Sequence, residues 1–124
     1  MDLTDVDFNY SELVAFNFSE SNLTKATLWC AYLEGANFSG ANLSWTCLMY
    51  AHLQGANFTK ANLKGANLSD ANLTDADLSQ ANLGIGLNRK EDTNFNGADL
   101  TNAKIDKSHR QYLSAGQQAQ ATFV

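Results

Sequence analysis

The chain has 124 residues, 44% hydrophobic and 17% charged, and its 13 Asp and Glu against 8 Lys and Arg leave a formal charge of -5. That length bounds it to one small domain, and the sign of the charge excludes a basic nucleic-acid-binding surface. No apolar run of roughly 18 residues is present to cross a membrane, and the acidic, polar start MDLTDVDFNY has neither the positive charge nor the apolar stretch of a secretion signal. Two cysteines, Cys30 and Cys47, are too few for a disulfide scaffold and lack metal-ligand spacing, so reduced thiols are expected. These features read as a soluble, cytoplasmic chain unless a leader was trimmed.

From Leu3 to Leu83 every fifth residue is Leu or Phe, 17 positions in a row, although the two types together supply only 23 of 124 residues. Two residues before each is a second, small position, which from Ala26 to Ala81 is Ala in eleven of twelve units, with Thr46 as the exception. The residue between the two is Asn or Asp at 12 of 17 positions. A spacing of five advances an α-helix by about 140° per step and alternates the faces of a strand, so neither regular element keeps these residues on one side. The chain must therefore turn once per repeat. On a short extended segment, Ala and Leu/Phe lie two apart and point inward together, while the Asn or Asp between them points out. The next two residues, rich in Ser, Thr, Gly, Lys and Asp, form the corner.

The number of corners per coil follows from longer spacings. Phe18, Phe38 and Phe58 recur at 20, as does the sequence GANF, and the departures from Asn/Asp pair Thr27 with Cys47 and Tyr32 with His52. Four short flats per coil follow, about five coils in all, with a height of roughly 25 Å at ~4.8 Å per layer. Asn22, Asn42, Asn62 and Asn82 fall in one outward column and are expected to form amide ladders.

The runs AYLEGANFSGANLS and GANFTKANLKGANLSDANLTDADLSQANL resemble the pentapeptide-repeat family, whose motif is A(D/N)LXX. The resemblance covers residues 1 to 85 and 93 to 107. It implies an all-β fold, a right-handed quadrilateral β-helix with four pentapeptides per coil, in agreement with the spacing of 20; the handedness comes from the resemblance alone. Members are abundant in cyanobacteria, some in the cytoplasm and some in the thylakoid lumen, so the resemblance implies the thylakoid lumen or periplasm if a leader was trimmed.

The repeat is irregular at both ends. In the first coil Val6 and Phe16 take small positions, as larger side chains able to plug the open end. No capping helix precedes this coil, so a bare strand edge is expected over Met1 to Glu20, with Asp2, Asp5, Asp7, Glu12 and Glu20 deterring edge pairing, or alternatively a dimer stacked through that end. The step from Leu83 to Phe95 is twelve residues, so residues 86 to 92 are read as a seven-residue loop leaving the coil between Gly84 and Gly86 at its base and Phe95, Leu100 and Ile105, which resume the core. The alternative places Asn88 inside, where a buried amide would need partners. The solenoid is thus assigned to 1-107. Residues 108 to 124 form a C-terminal cap: a Ser in SHRQYLSAG starts a short helix ending at Gly116, Tyr112 and Leu113 cover the last coil, and QQAQATFV is a polar, disordered tail.

No phosphate loop, HExxH or Ser-His-Asp arrangement occurs, and a filled column offers no pocket. No catalytic residue, cofactor or metal site is assigned. The chain reads as a non-catalytic protein-interaction module or structural scaffold, with another protein or a second copy as its partner. The alternative, implied by family members that protect DNA gyrase from quinolones, is DNA mimicry. Residues 21 to 69 hold only Glu34 against Lys25, Lys60 and Lys64, which shows no DNA-like acidic face. The 20-residue register stacks Met49 on Trp29, Tyr50 on Cys30 and Tyr10, and His52 on Tyr32, with Trp45 at the preceding corner. Aromatic and Met clusters are what interfaces enrich, so Trp29, Tyr32, Trp45, Met49, Tyr50 and His52 form the candidate partner-binding face.

Overall fold

A computed structural model of the chain describes residues 1–85 and 89–124. Gly86 and Asn88, at the base and in the alternative register of the expected loop, lie outside the described residues, as does Leu87.

Each unit of five is one short flat and one corner. The flats are joined by parallel bridges twenty residues apart, as in Asp2↔Asn22, Asn22↔Asn42, Asn42↔Asn62 and Asn62↔Asn82, so the chain climbs one layer per four corners. Each flat pairs through a single central residue, too short to count as a strand. At the corner, the N–H of the small residue closes back on the Leu/Phe carbonyl three positions earlier, for example Ala26 to Leu23 at 2.9 Å. The residue before that N–H has φ between 56° and 70° at every fifth position from Asp5 to Gln80, and only four of these sixteen are glycine. A positive φ in the third turn residue is the mark of a type II turn. It costs a side-chain-bearing residue ~1–2 kcal/mol. Two bonds offset that cost. The N–H of the strained residue donates to the next coil, as Lys25 does to Ser44 O at 3.0 Å. The residue before it is held by the outward Asn.

That second bond corrects the expected amide ladder. The Oδ1 atoms of Asn22, Asn42 and Asn62 each accept, at 3.1 Å, the N–H two residues on, and Asn82 does so at 2.9 Å. Asn and Asp bond to backbone this way because their short side chains reach only their own turn. The outward column thus fastens corners.

From Phe18 to Leu83 the Leu/Phe side chains are at most 1% exposed, and Phe18, Phe38 and Phe58 stack at 5.1 and 5.0 Å with nearly parallel planes. Thr46, the odd residue in the Ala column, turns its hydroxyl to Leu43 O at 2.8 Å and so satisfies itself inside the core. The first coil departs from this pattern. Leu3, Phe8 and Leu13 are only half-buried, Val14 is 61% exposed, and Phe16 leans on Phe18 at 4.6 Å yet stays 43% exposed. The expected plug is therefore incomplete: among the described residues none lies beneath these side chains to enclose their other side.

After Leu83 the bridges change spacing: Asn67↔Asn94, Asn72↔Asp99 and Asp77↔Lys104 are each 27 apart, seven more than a coil. Arg89–Glu91 forms a 3-10 turn, and Glu91 O takes the Gly65 N–H at 2.7 Å. Thr93 refills the small position, its hydroxyl donating within reach of Leu63 O (2.7 Å) and Leu83 O (3.0 Å). Phe95, Leu100 and Ile105 are buried.

The C-terminal segment differs from expectation in position and in order. Lys107–Tyr112 is a 3-10 helix without a side-chain cap. The α-helix, α1, is Ala115–Gln120, begun by Ser114: the Ser114 hydroxyl accepts the Gln117 N–H, and Gln117 Oε1 accepts the Ser114 N–H, both at 3.2 Å. Gly116 thus lies inside the helix rather than ending one. The polar tail is ordered. Strand β1, Lys104–Ile105, pairs in parallel with β2, Thr122–Phe123, which adds one more layer to the last coil. The glutamines explain why so polar a stretch packs. Gln117 Nε2 donates to Phe95 O at 2.7 Å and Ala98 O at 3.2 Å, and Gln120 Oε1 accepts the Leu100 N–H at 3.1 Å. They supply partners that a further coil would have supplied. Leu113 is buried in this cap, whereas Tyr112 remains exposed.

Candidate protein interface

The corner at residues 9–10, 29–30 and 49–50 carries the densest set of outward aromatic side chains. Backbone register brings Met49 above Trp29, with the Cys30 N–H donating to Met49 O at 3.0 Å, while the Trp29 N–H bonds to Asn9 Oδ1 at 2.8 Å. Three rings then form a spine along the column: Trp29 meets Tyr10 at 5.3 Å and Tyr50 at 6.4 Å, both edge to face. Tyr10 and Tyr50 both occupy left-handed corner positions, with φ of 62° and 58°, and that conformation aims them away from the core. The two tyrosines therefore join through Trp29, rather than over Cys30 as the register alone suggested.

On the next flat Tyr32 and His52 stack at 4.6 Å with planes 4° apart. Tyr32 is exposed and His52 half-buried, as is Met49. Trp45 stands at the other corner of the intervening flat, about 45% exposed, with its indole over Gly65 of the coil above, where an added methyl would collide with the ring. The structure thus gathers Trp29, Met49 and Tyr50 on one corner and Tyr32 with His52 beside it. Trp45 is set apart across the flat that holds Thr27 and Cys47.

A shallow groove of about 580 Å³, lined by Glu12, Val14, Tyr32 and Glu34, opens beside the Tyr32–His52 pair toward the first coil. Tyr10, Glu12, Val14 and Glu34 are absent from the face picked out by residue type, and their signal was the 20-residue stacking of 12 on 32 and 14 on 34. Cys30 and Cys47 are free thiols, half-buried. Among the described residues no three His, Cys, Asp or Glu side chains are grouped to hold a metal ion, and no helix is long and apolar enough to cross a membrane.

A sequence profile of pentapeptide repeats matches the chain in eight copies, over residues 2–40, 17–50 and 51–84. No curated protein sequence matches it significantly. Similar solved structures include a pentapeptide repeat protein of the Arabidopsis thaliana thylakoid lumen, 33% identical over 90% of this chain and 73% of that one, with a TM-score of 0.68. Another is HetL, a pentapeptide repeat protein involved in heterocyst differentiation regulation in Nostoc, 34% identical over 85% of this chain and 49% of its own, with a TM-score of 0.50. A third is QnrB1, a plasmid-mediated fluoroquinolone resistance protein, 26% identical over 82% of this chain and 49% of its own, with a TM-score of 0.52. The chain spans about half the length of HetL and of QnrB1.

Proposed function

The chain belongs to the pentapeptide-repeat family, and from that premise we propose that it is a non-catalytic protein-binding module, wound right-handed as a quadrilateral β-helix. The observation that carries this reading is the Tyr10–Trp29–Tyr50 spine, flanked by Met49 and the Tyr32–His52 stack. A filled column spends its apolar Leu, Phe and Ala on the core, so aromatic rings placed outside it are not needed to hold the coils together. Their ring contacts fix them in place before any partner arrives, which lowers the ordering cost of binding. Trp and Tyr held in this way are the anchors that dominate interface energetics. The partner is another protein, with a second copy as the competing occupant.

The test is the double substitution Trp29→Ser and Met49→Ser. The variant should unfold at nearly the wild-type midpoint while losing at least about thirtyfold in affinity, ~2 kcal/mol, for the native partner isolated by capture and mass spectrometry, the scale of a hot spot. Unchanged affinity would reduce the face to a shield over the corners.

The gyrase-protector reading has QnrB1 as a structural neighbour behind it. Against it stands the charge distribution, since residues 21 to 69 carry Glu34 alone against three lysines. A supercoiling assay with and without the chain decides: no effect at saturating protein removes mimicry.

A further inference from the structure

We propose that the cavity between the last coil and the C-terminal cap is a binding site for a small neutral sugar, of the size of one monosaccharide. This inference goes beyond the protein-binding reading, and its site shares no residue with the aromatic spine. Its first support is a gap in the backbone ladder. On the face that holds Thr27, Cys47, Asn67 and Asn94, each layer bonds to the one above through three groups. The Leu28, Leu48 and Leu68 N–H groups donate up to Cys47, Asn67 and Asn94 O at 2.8 Å, and the corner N–H groups of Cys30, Tyr50 and Asp70 donate to Met49, Ser69 and Asn96 O at 2.9 to 3.1 Å. The carbonyls of Ala26, Thr46 and Ala66 accept from the layer above at 2.9 to 3.1 Å. In the last coil the same three positions are the Phe95 N–H, the Gly97 N–H and Thr93 O, and none of them has a partner among the described residues.

The next two flats leave no such gap. The Leu100 and Asn102 N–H groups donate to Gln120 Oε1 and Gln120 O at 3.1 and 2.9 Å, and β1 pairs with β2. Over the Asn94 flat the cap stands off instead. Gln117 Nε2 reaches down to Phe95 O and Ala98 O at 2.7 and 3.2 Å, while the Ser114 and Gln117 N–H groups are bonded to each other's side chains. The cap thus touches the coil beside the ladder groups rather than on them. A cavity of about 280 Å³ lies between residues 92–97 below and Tyr112, Ser114 and Gln117 above.

The lining selects the ligand. A cavity of this volume is at the small end of ligand sites. Its walls carry no Lys, Arg or His, and their one charged residue is Asp92, so an anion finds no counter-charge. The other polar groups both give and take. Thr93 O accepts; the Phe95 and Gly97 N–H groups donate, as can the NH₂ of Asn94, whose Oδ1 holds the Asn96 N–H; and Ser114 Oγ, accepting from Gln117, keeps its own proton to donate. Adjacent hydroxyls of a sugar ring, each donor and acceptor at once, match that mixture without charge. A sugar also presents a face of C–H groups, for which Tyr112, 45% exposed, is an apolar platform. Water would meet the polar groups singly and leave the ring bare.

The experiment titrates the intact, nitrogen-15-labelled chain with glucose, galactose, mannose and N-acetylglucosamine, and with glycerol and sodium phosphate as controls, following the backbone amides by NMR. At least one sugar should give a saturable shift centred on the Phe95 and Gly97 amides, where glycerol gives only an unsaturated drift and phosphate none. Tyr112→Ala and Asn96→Ala, both at exposed positions, should each weaken that sugar at least about fivefold with an unchanged unfolding midpoint, the scale of one lost contact. Lys60→Gln, far from the cavity, should bind as wild type. The proposal is overturned if none of the four sugars saturates, if glycerol saturates at the same amides, if the shifts centre elsewhere, or if both cavity variants bind as wild type.

Discussion

At the C-terminal end of the column the last coil meets β2, a capped helix and three glutamine-mediated bonds, while at the N-terminal end the first coil meets solvent with its Leu and Phe half-covered. Both ends are built from similar repeats. The difference shows that a repeat buries its apolar residues only when a neighbour lies on each side of it, so stability in such a stack belongs to interfaces between coils more than to coils themselves.

The largest consequence is unequal sensitivity to the same truncation. Leu63→Ala, between two complete coils, should cost ~2–5 kcal/mol, because rigid layers above and below leave the cavity unfilled. Leu3→Ala, with water already on one side, should cost about 1 kcal/mol, since only part of its apolar area is removed from contact. Denaturant midpoints for the two variants measure this directly, and equal losses would mean the first coil is as well enclosed as the middle.

The cap itself is next in size. Gln117→Ala removes the donor to Phe95 O and Ala98 O together with half of the Ser114 capping box. A loss of about 1–2 kcal/mol is expected, because the part-buried Ala98 carbonyl is left without a partner and Phe95 O keeps only the Ala98 N–H. Hydrogen exchange should rise first at Leu100 and Thr122, and a rise spread evenly over the column would show that the two ends are not independent.

The smallest effect is one the ends share. Asp2 and Asp99 have carboxyls held below the ordinary range, chiefly by the hydroxyls of Thr4 and Thr101 and then by the backbone N–H of the same residues. A carboxyl with a depressed folded pKa contributes stability that is present above the ordinary carboxylate range and lost as pH falls through the folded value. The stability difference between wild type and Asp99→Asn should therefore be constant near neutrality and shrink below about pH 4. Asp2, fully exposed, should show the same sign with less amplitude, as paired acid titrations of the two variants would record.

Much of this could be read from the sequence because the side-chain pattern is itself a statement about geometry. Leu or Phe every fifth residue, with Ala two before, admits only a chain that turns each unit, and the GANF repetition at 20 specifies the coil. Trp29, Tyr32 and His52 could be set at their places by counting. What counting missed depends on how groups reach across space. Asn42 bonds to its own corner, its Oδ1 accepting the Ser44 N–H at 3.1 Å, because so short a side chain reaches its own turn. QQAQATFV looked too polar to order, and it orders because its amides find carbonyls of the final coil that no local pattern reveals.

By itself, then, the sequence determined the period, the core residues and the outward position of the aromatic side chains, all of which follow from local spacing and from the need to hide apolar groups. Tertiary structure decided how each end is finished, that Trp29 rather than Cys30 joins Tyr10 to Tyr50, and that Trp45 folds over Gly65. Those outcomes turn on hydrogen-bond partners and ring contacts between residues nineteen to twenty-two apart, whose energies exist only once the coils are stacked.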